Sequence, residues 1–507
     1  MQILINRFRQ ARESTVHFFR RLPWKGIFLL GALLLFEVSM HPLGIGPDRR
    51  IHDPGVARFL APESFPGDWY ADAVQASGVY PFYGALIGIG DVIGIGEERW
   101  RMFLYIACLV VTYSSLLRIA RVFTDNILVI PVLVVLHAVA YLYDPPAWLY
   151  GPFIHVDGGF APRSLGVAFS FLAVALALEK KVLAPWIVLG LATLIHVSNS
   201  LLIFLLLLFA KAIEWIIAIW REESGVHSIK QKIRKFTGRI ALATLAYVLS
   251  GGWFVLAVAI RDAAAHTNFP AQQFIWIWTY FRAPYMALPE ISYSFWLIFF
   301  LLIGVCTSSG IFLYYFKKHI RKPVIFLSSL GGGALLGFGF FYVTSFVYPW
   351  LTGFQLYSFR VVYIFYFVAY LFIAATLISF PSFFTEKLLD RFSFLRNKRV
   401  FVGMYTLILG SIFIWGIDEY KVLDKYLDRA PGNIMKSYQY LLNPGFPELE
   451  SPIQKFLLEH RSEAYLAPPN WYGPPQYTSH VASFKVFGFT QASLPIWYER
   501  MDVLSRY

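Results

Sequence analysis

Residues 46–84 read GPDRRIHDPGVARFLAPESFPGDWYADAVQASGVYPFYG. Asp48, His52, Asp53, Glu63, Asp68 and Asp72 stand in this stretch, among aromatics and prolines, with strongly apolar sequence on both sides. A carboxylate at the mouth of an apolar cavity can take the proton of an acceptor hydroxyl as a general base. The same group can ligate a divalent cation. Asp53, in IHDPGVARF, and Asp68, in FPGDWYADA, are the candidate catalytic acids, and Asp53 is also the candidate metal ligand. The competing reading is a solvated loop acid or a helix N-cap.

A second group of residues suits an anion. In FIHVDGGFAPRS, His155 and Asp157 precede a Pro-Arg pair, Pro162-Arg163, at a helix start. Backbone N–H groups at a helix N-terminus favour negative charge, and an arginine adds bidentate recognition of phosphate. An interface anchor reaching to the headgroups is the plainer role for Arg163. His196 and Asn199 mark a break between two apolar runs. Arg282, in FRAPYMALPE, and Arg360, in QLYSFRVV, are cations on the side where positive charge is disfavoured, which suits an anionic partner such as a lipid phosphate. Glu37, His41 and His137 lie inside apolar runs, as buried hydrogen-bonded groups or as parts of a proton path. The sequence has no G-x-x-x-x-G-K-[ST], G-x-S-x-G, H-E-x-x-H or C-x-x-C motif.

The elements that must carry these residues follow from composition. Of 507 residues 57% are hydrophobic and only 15% charged, with a mean hydropathy of +0.55. A soluble domain is nearer a quarter charged. The apolar residues gather in runs of about 18–25, the length of a transmembrane helix, and lack the alternation of a barrel strand. The expected fold is therefore an all-α polytopic membrane protein. The net charge of +13 invites a nucleic-acid partner, but most Lys and Arg sit in short clusters between spans, as the positive-inside rule requires. Nucleic acid is accordingly excluded as a partner.

Orienting the chain by these clusters gives about eleven spans, with a cytoplasmic N-terminus and the C-terminus outside. The expected spans are 26–44, 100–123, 127–143, 164–178, a short and a longer helix over 182–220 meeting near His196, then 240–260, 295–316, 324–348, 361–380 and 401–417. YPFYGALIGIGDVIGIGEE, within the outer loop 45–99, is read as a surface helix. Residues 1–417 form the transmembrane domain and 418–507 a small soluble unit outside the membrane. SPIQKFLLEHR there reads as a helix capped by Ser451 with Pro452 at its first position, EAYLAPP and HVASFKVFGF as strands, and PIWYERMDVL as a last helix. The unit is read as α/β. Cys108 and Cys306 lie inside spans and suggest neither a disulfide framework nor a metal motif.

The order of these features resembles the GT-C superfamily of integral-membrane glycosyltransferases. The residues that carry the likeness are the acidic first outer loop, the P-x-Y…G…E-x-x-x-R pattern in YPFYGALIGIGDVIGIGEERWR, the loop ending in Pro-Arg, GLATLIHVSNSLL, and the outside C-terminal unit. FLAPESFPGDWY, FRAPYMALPE and WYERM are similar to a bacterial branch in which R-x-P-H-H would be expected; here Tyr285 and Met286 replace the histidines. The resemblance implies an enzyme of the bacterial inner membrane that moves a sugar from a polyprenyl-phosphate donor to a glycan, lipid or protein acceptor. It implies a catalytic carboxylate best matched by Asp53, then Asp68, although the usual pair of adjacent acids is here His52-Asp53. It also implies donor-phosphate contacts from Arg163, His196 and Arg360. No nucleotide cofactor is implied; a divalent cation on Asp53 stays an alternative. A polysaccharide polymerase or glycolipid ligase, a glycolipid transporter and a non-catalytic scaffold are the other readings. The transferase reading requires Asp53, Arg163 and Arg360 to converge on one outward cavity.

Overall fold

The computed structural model of the chain describes residues 24–40, 56, 59–62, 81–123, 129, 132, 160–221, 226–264, 272, 275, 293–387 and 422–442. The described residues form helices and contain no strand. Four helical segments are long and apolar enough to cross a bilayer, and a bent pair would make a fifth. The chain has the make-up of a multi-pass membrane protein. The 127–143 and 401–417 spans and the strands and helices expected after residue 442 lie outside the described residues, apart from Val129 and Val132.

The helices are α1 (Trp24–Met40), α2 (Pro81–Val92), α3 (Glu97–Phe123), α4 (Pro162–Leu178), α5 (Ala184–Thr193) and α6 (Val197–Arg221). They continue as α7 (Val226–Tyr247), α8 (Phe254–Ala264), α9 (Tyr293–Phe316), α10 (Arg321–Tyr342), α11 (Leu351–Gln355), α12 (Val362–Lys387) and α13 (Val422–Leu442). Within hydrocarbon, helices gain little from burying apolar area against each other, so close packing over small residues does the work. α4 packs against α3, α5 and α6 with buried Gly166, Ala168, Ala173, Ala175 and Ala177 along it, and Gly166 faces the start of α6. α10 offers Gly331, Gly333 and Ala334 to α6 and α12. A Cβ on Gly333 would stand 2.8 Å from Leu206. The outward faces carry large apolar side chains such as Phe28, Leu249, Phe300 and Leu336. A bilayer covers such a surface; water does not.

The 240–260 segment departs from the expected single span. α7 runs into a π-helical turn, Val248–Gly252, and α8 leaves it at 63°. Gly251 has φ of 150°, open only to glycine. The turn abuts α5 so closely that a Cβ on Gly190 would lie 1.9 Å from Ser250 Oγ. A Cβ on Gly251 would lie 2.3 Å from the Gly190 carbonyl oxygen. Ser250 Oγ also donates back to the Ala246 carbonyl at 2.7 Å, a bond that bends helices. A second π-helical turn, Val343–Val347, ends α10.

The ends of the described chain meet. α13 packs on α1 through buried Ala430 and Ser437, and Asn433 Nδ2 donates to the Ser39 carbonyl at 2.9 Å. No element was expected over 422–442. The helix continues through Pro431 nonetheless, with one hydrogen bond forgone. At the other end of α3, Arg118 grips Glu179 with two bonds, 2.7 and 2.6 Å. That link ties α3 to the end of α4, beside Lys180 and Lys181, where basic residues were expected on the inside.

Candidate functional site

Two buried polar systems approach each other at the end of the bundle opposite Arg118 and Glu179. The first is built from P-x-Y and E-x-x-x-R. Glu97 and Arg101 sit one turn apart on α3, so their side chains pair along one helix face. Arg101 is 1% exposed, although it carries a full charge. Its Nε donates to Glu97 Oε1 at 2.8 Å, and its Nη2 donates to the same oxygen. Its Nη1 donates to the Tyr83 hydroxyl of α2 at 3.0 Å. An arginine can only donate, so Tyr83 must accept from it and use its single proton elsewhere. That proton goes to the Phe160 carbonyl, 3.0 Å away, and the two rings stack at 5.9 Å. Phe160 precedes Arg163 by three residues.

α2 is held on other sides as well. Trp100 Nε1 donates to the Leu86 carbonyl at 2.7 Å, and the Trp100 side chain fills the space above Gly90. Phe59 lies against Gly84, where a Cβ would meet its ring at 2.5 Å, and Leu60 lies against Gly88. Phe82 makes edge contacts with Trp253 and Phe254 at the bend between α7 and α8. Gly84, Gly88 and Gly90 thus serve as seats for bulky neighbours.

The second system is a seam through α4, α6 and α12. Asn199 Nδ2 donates to Ser170 Oγ at 3.0 Å, and the Tyr363 hydroxyl donates to Asn199 Oδ1 at 3.2 Å. Gly166 permits this approach: a Cβ there would lie 3.3 Å from both Asn199 Nδ2 and His196 Cβ. His196 immediately precedes α6, and its Nδ1 accepts the Asn199 backbone N–H at 3.3 Å. It thus caps the helix, satisfying a donor that the break would otherwise orphan.

Arg163 occupies the second position of α4, after Pro162, and is half-buried. Its charge acts on the Tyr363 hydroxyl. Arg360, also half-buried, lies one turn before Tyr363, on the 3₁₀ turn Ser358–Val361. Its guanidinium sits over the Tyr357 ring at 4.9 Å and near Phe359 at 6.0 Å. Tyr363 thus has the charge of Arg163 acting on its hydroxyl and Arg360 three residues before it on the chain.

Of the residues singled out from sequence, Arg163, His196 and Arg360 fall in described parts and gather around Asn199 and Tyr363. Asp53, Asp68, His155, Asp157 and Arg282 lie outside the described residues, as do His41 and His137. Glu37 is elsewhere, on α1 against α3. It is 2% exposed and accepts from the Tyr113 hydroxyl at 2.8 Å. Its second oxygen has no hydrogen-bond partner among the described residues. Ser170 and Tyr363 were not singled out, and no local signal marked them: they are 29 and 164 residues from Asn199. Tyr83 and Arg101 were present in a motif but had no role attached.

Among the described residues no group of three or more His, Cys, Asp or Glu could hold a metal ion. What the described part offers is positive charge at the N-terminal end of a helix, backed by polar side chains in an apolar bundle. That combination suits an anion such as a phosphate. No protein-family model matches the chain, and no curated protein matches it.

Proposed function

We propose that the chain is a membrane glycosyltransferase of GT-C type that moves a sugar from a polyprenyl-phosphate donor to an acceptor at the outer face. The observation that supports the reading is the gathering of Arg163, His196 and Tyr363 at one end of the bundle, with Arg360 a turn away. In the proposed reaction an acceptor oxygen attacks the anomeric carbon of the donor sugar. The bond from that carbon to the phosphate oxygen breaks, and the lipid phosphate departs with the electron pair. Arg163 and Arg360 stabilise the charge that develops on it, which lowers the barrier because they are already oriented in a site of low polarity. The acceptor proton passes to Asp53, with Asp68 as the second choice.

The test is a mass-spectrometric profile of lipid-linked sugars and envelope glycans. A deletion strain is complemented with wild type, Asp53→Asn or Arg163→Ala at matched membrane abundance. Accumulation of a polyprenyl-phosphate sugar with loss of one glycan in both variants is the expected result. It would also name the sugar. A lost glycan without donor build-up favours the polymerase or ligase chemistry, and wild-type profiles in both variants refute the transferase.

A further inference from the structure

The geometry points to Tyr83 as a positioning residue that sets Arg163 from the surface helix α2. The inference rests on the reading of Arg163 as a group that grips an anionic lipid phosphate. Tyr83 is fully buried, and its hydroxyl bridges a buried cation and the backbone that leads into α4. Arg101 cannot accept, so the hydrogen bonds run in one direction: Glu97 holds Arg101, Arg101 donates to Tyr83, and Tyr83 donates to Phe160. The accepting carbonyl belongs to the residue before Ala161, where α4 begins. Pro162 and the return bond from Ala161 N–H to Ser164 Oγ at 3.3 Å stiffen the next step. A carbonyl fixed at Phe160 is therefore carried to Arg163 with little slack.

The other end of this chain of bonds is a helix pinned over glycines. Gly84 and Gly88 seat Phe59 and Leu60 of the first outer loop, and Phe82 touches the α7–α8 bend. α2 thus joins the first outer loop, the bend and the Arg163 turn into one unit. The cationic end of the site is set by an element of the outer loop itself.

Tyr83→Phe deletes the hydroxyl and keeps the ring on Phe160. Two measurements on the purified full chain in detergent test the inference. One is the affinity for a farnesyl monophosphate probe, in wild type, Arg163→Ala and Tyr83→Phe. Arg163→Ala should weaken binding about tenfold or more, and Tyr83→Phe about threefold. The other is the rate at which a charged thiol reagent labels Arg163→Cys, with Tyr83 or with Tyr83→Phe beside it. That rate should change at least about threefold when the bond to Phe160 is lost. Tyr113→Phe in the same background is the control for general loosening and should leave the rate unchanged.

If Arg163→Ala binds the probe as wild type does, the phosphate reading of Arg163 fails, and the labelling rate still decides whether Tyr83 positions that turn. If Tyr83→Phe changes neither affinity nor labelling, or if Tyr113→Phe shifts labelling equally, the positioning role is overturned.

Discussion

Asn199→Ala is the sharpest probe of the seam that carries the site. Asn199 makes two side-chain bonds across helices, to Ser170 on α4 and from Tyr363 on α12. An interhelical hydrogen bond inside a membrane contributes roughly 0.6 kcal/mol, so two contribute about 1.2 kcal/mol. Truncation also leaves a hole larger than a methyl group at a site only 4% exposed, at a cost of about 1 kcal/mol. The expected loss is about 2 kcal/mol. Tyr363→Phe removes the bond to Asn199 and the hydroxyl's interaction with Ser170 and opens no hole, so it should cost about 0.6–1.2 kcal/mol. The double variant should show a coupling near 0.6 kcal/mol between the two residues. Unfolding in mixed micelles by rising dodecyl sulfate fraction, followed by circular dichroism, measures all three. Equal losses in the two single variants, or a coupling of zero, would refute the seam as drawn.

Three further outcomes are expected in the same assay. Arg101→Lys should cost about 1–2 kcal/mol, since an ammonium cannot reproduce the fork that reaches both Glu97 and Tyr83, and the partial exposure of Glu97 trims the penalty; Arg99→Lys, on the exposed side of α3, should cost nothing measurable. Gly190→Ala should destabilise by about 3 kcal/mol, because its Cβ would stand 2.5 Å from the Tyr247 carbonyl oxygen, whereas Gly238→Ala, with open space around it, should gain about 0.5–1 kcal/mol. Glu37→Gln keeps the acceptor for Tyr113 and should change stability by less than about 0.5 kcal/mol, while Tyr113→Phe removes the bond and should cost about 0.6–1.7 kcal/mol; the reverse order would show that the carboxylate's charge matters more than the bond.

Apolar runs made most of the helices legible. α3, α4 and α9 lie within three residues of the spans drawn from hydropathy, α10 and α12 start within three residues of theirs but end six and seven residues away, and the break at His196 was visible as a polar interruption of two apolar runs. The bend after Tyr247 was not. VLSGGW is apolar enough to pass as mid-span, and what bends it is the contact with Gly190, a residue of another helix. α13 escaped because the small residues that seat it on α1 have meaning only beside that partner. The candidate site was legible in part. Arginine and histidine stood out against an apolar background, whereas the tyrosines and serine that orient them are ordinary residues within apolar runs. Nothing local distinguishes Tyr363 from the other aromatics of α12.

The contacts of α1 also have a date of arrival. Tyr113 follows Glu37 by 76 residues and Asn433 follows Ser39 by 394. At a synthesis rate of roughly 5–20 residues per second, the first partner is made about 4–15 s after the glutamate and the second about 20–80 s after the serine. α1 therefore waits, with a carboxyl group lacking its tyrosine, and receives the contact from α13 only 394 residues after Ser39 is made. A chain cut short before residue 433 would keep Ser39 without its asparagine. The contact of α13 on α1 thus reports that synthesis has passed residue 433.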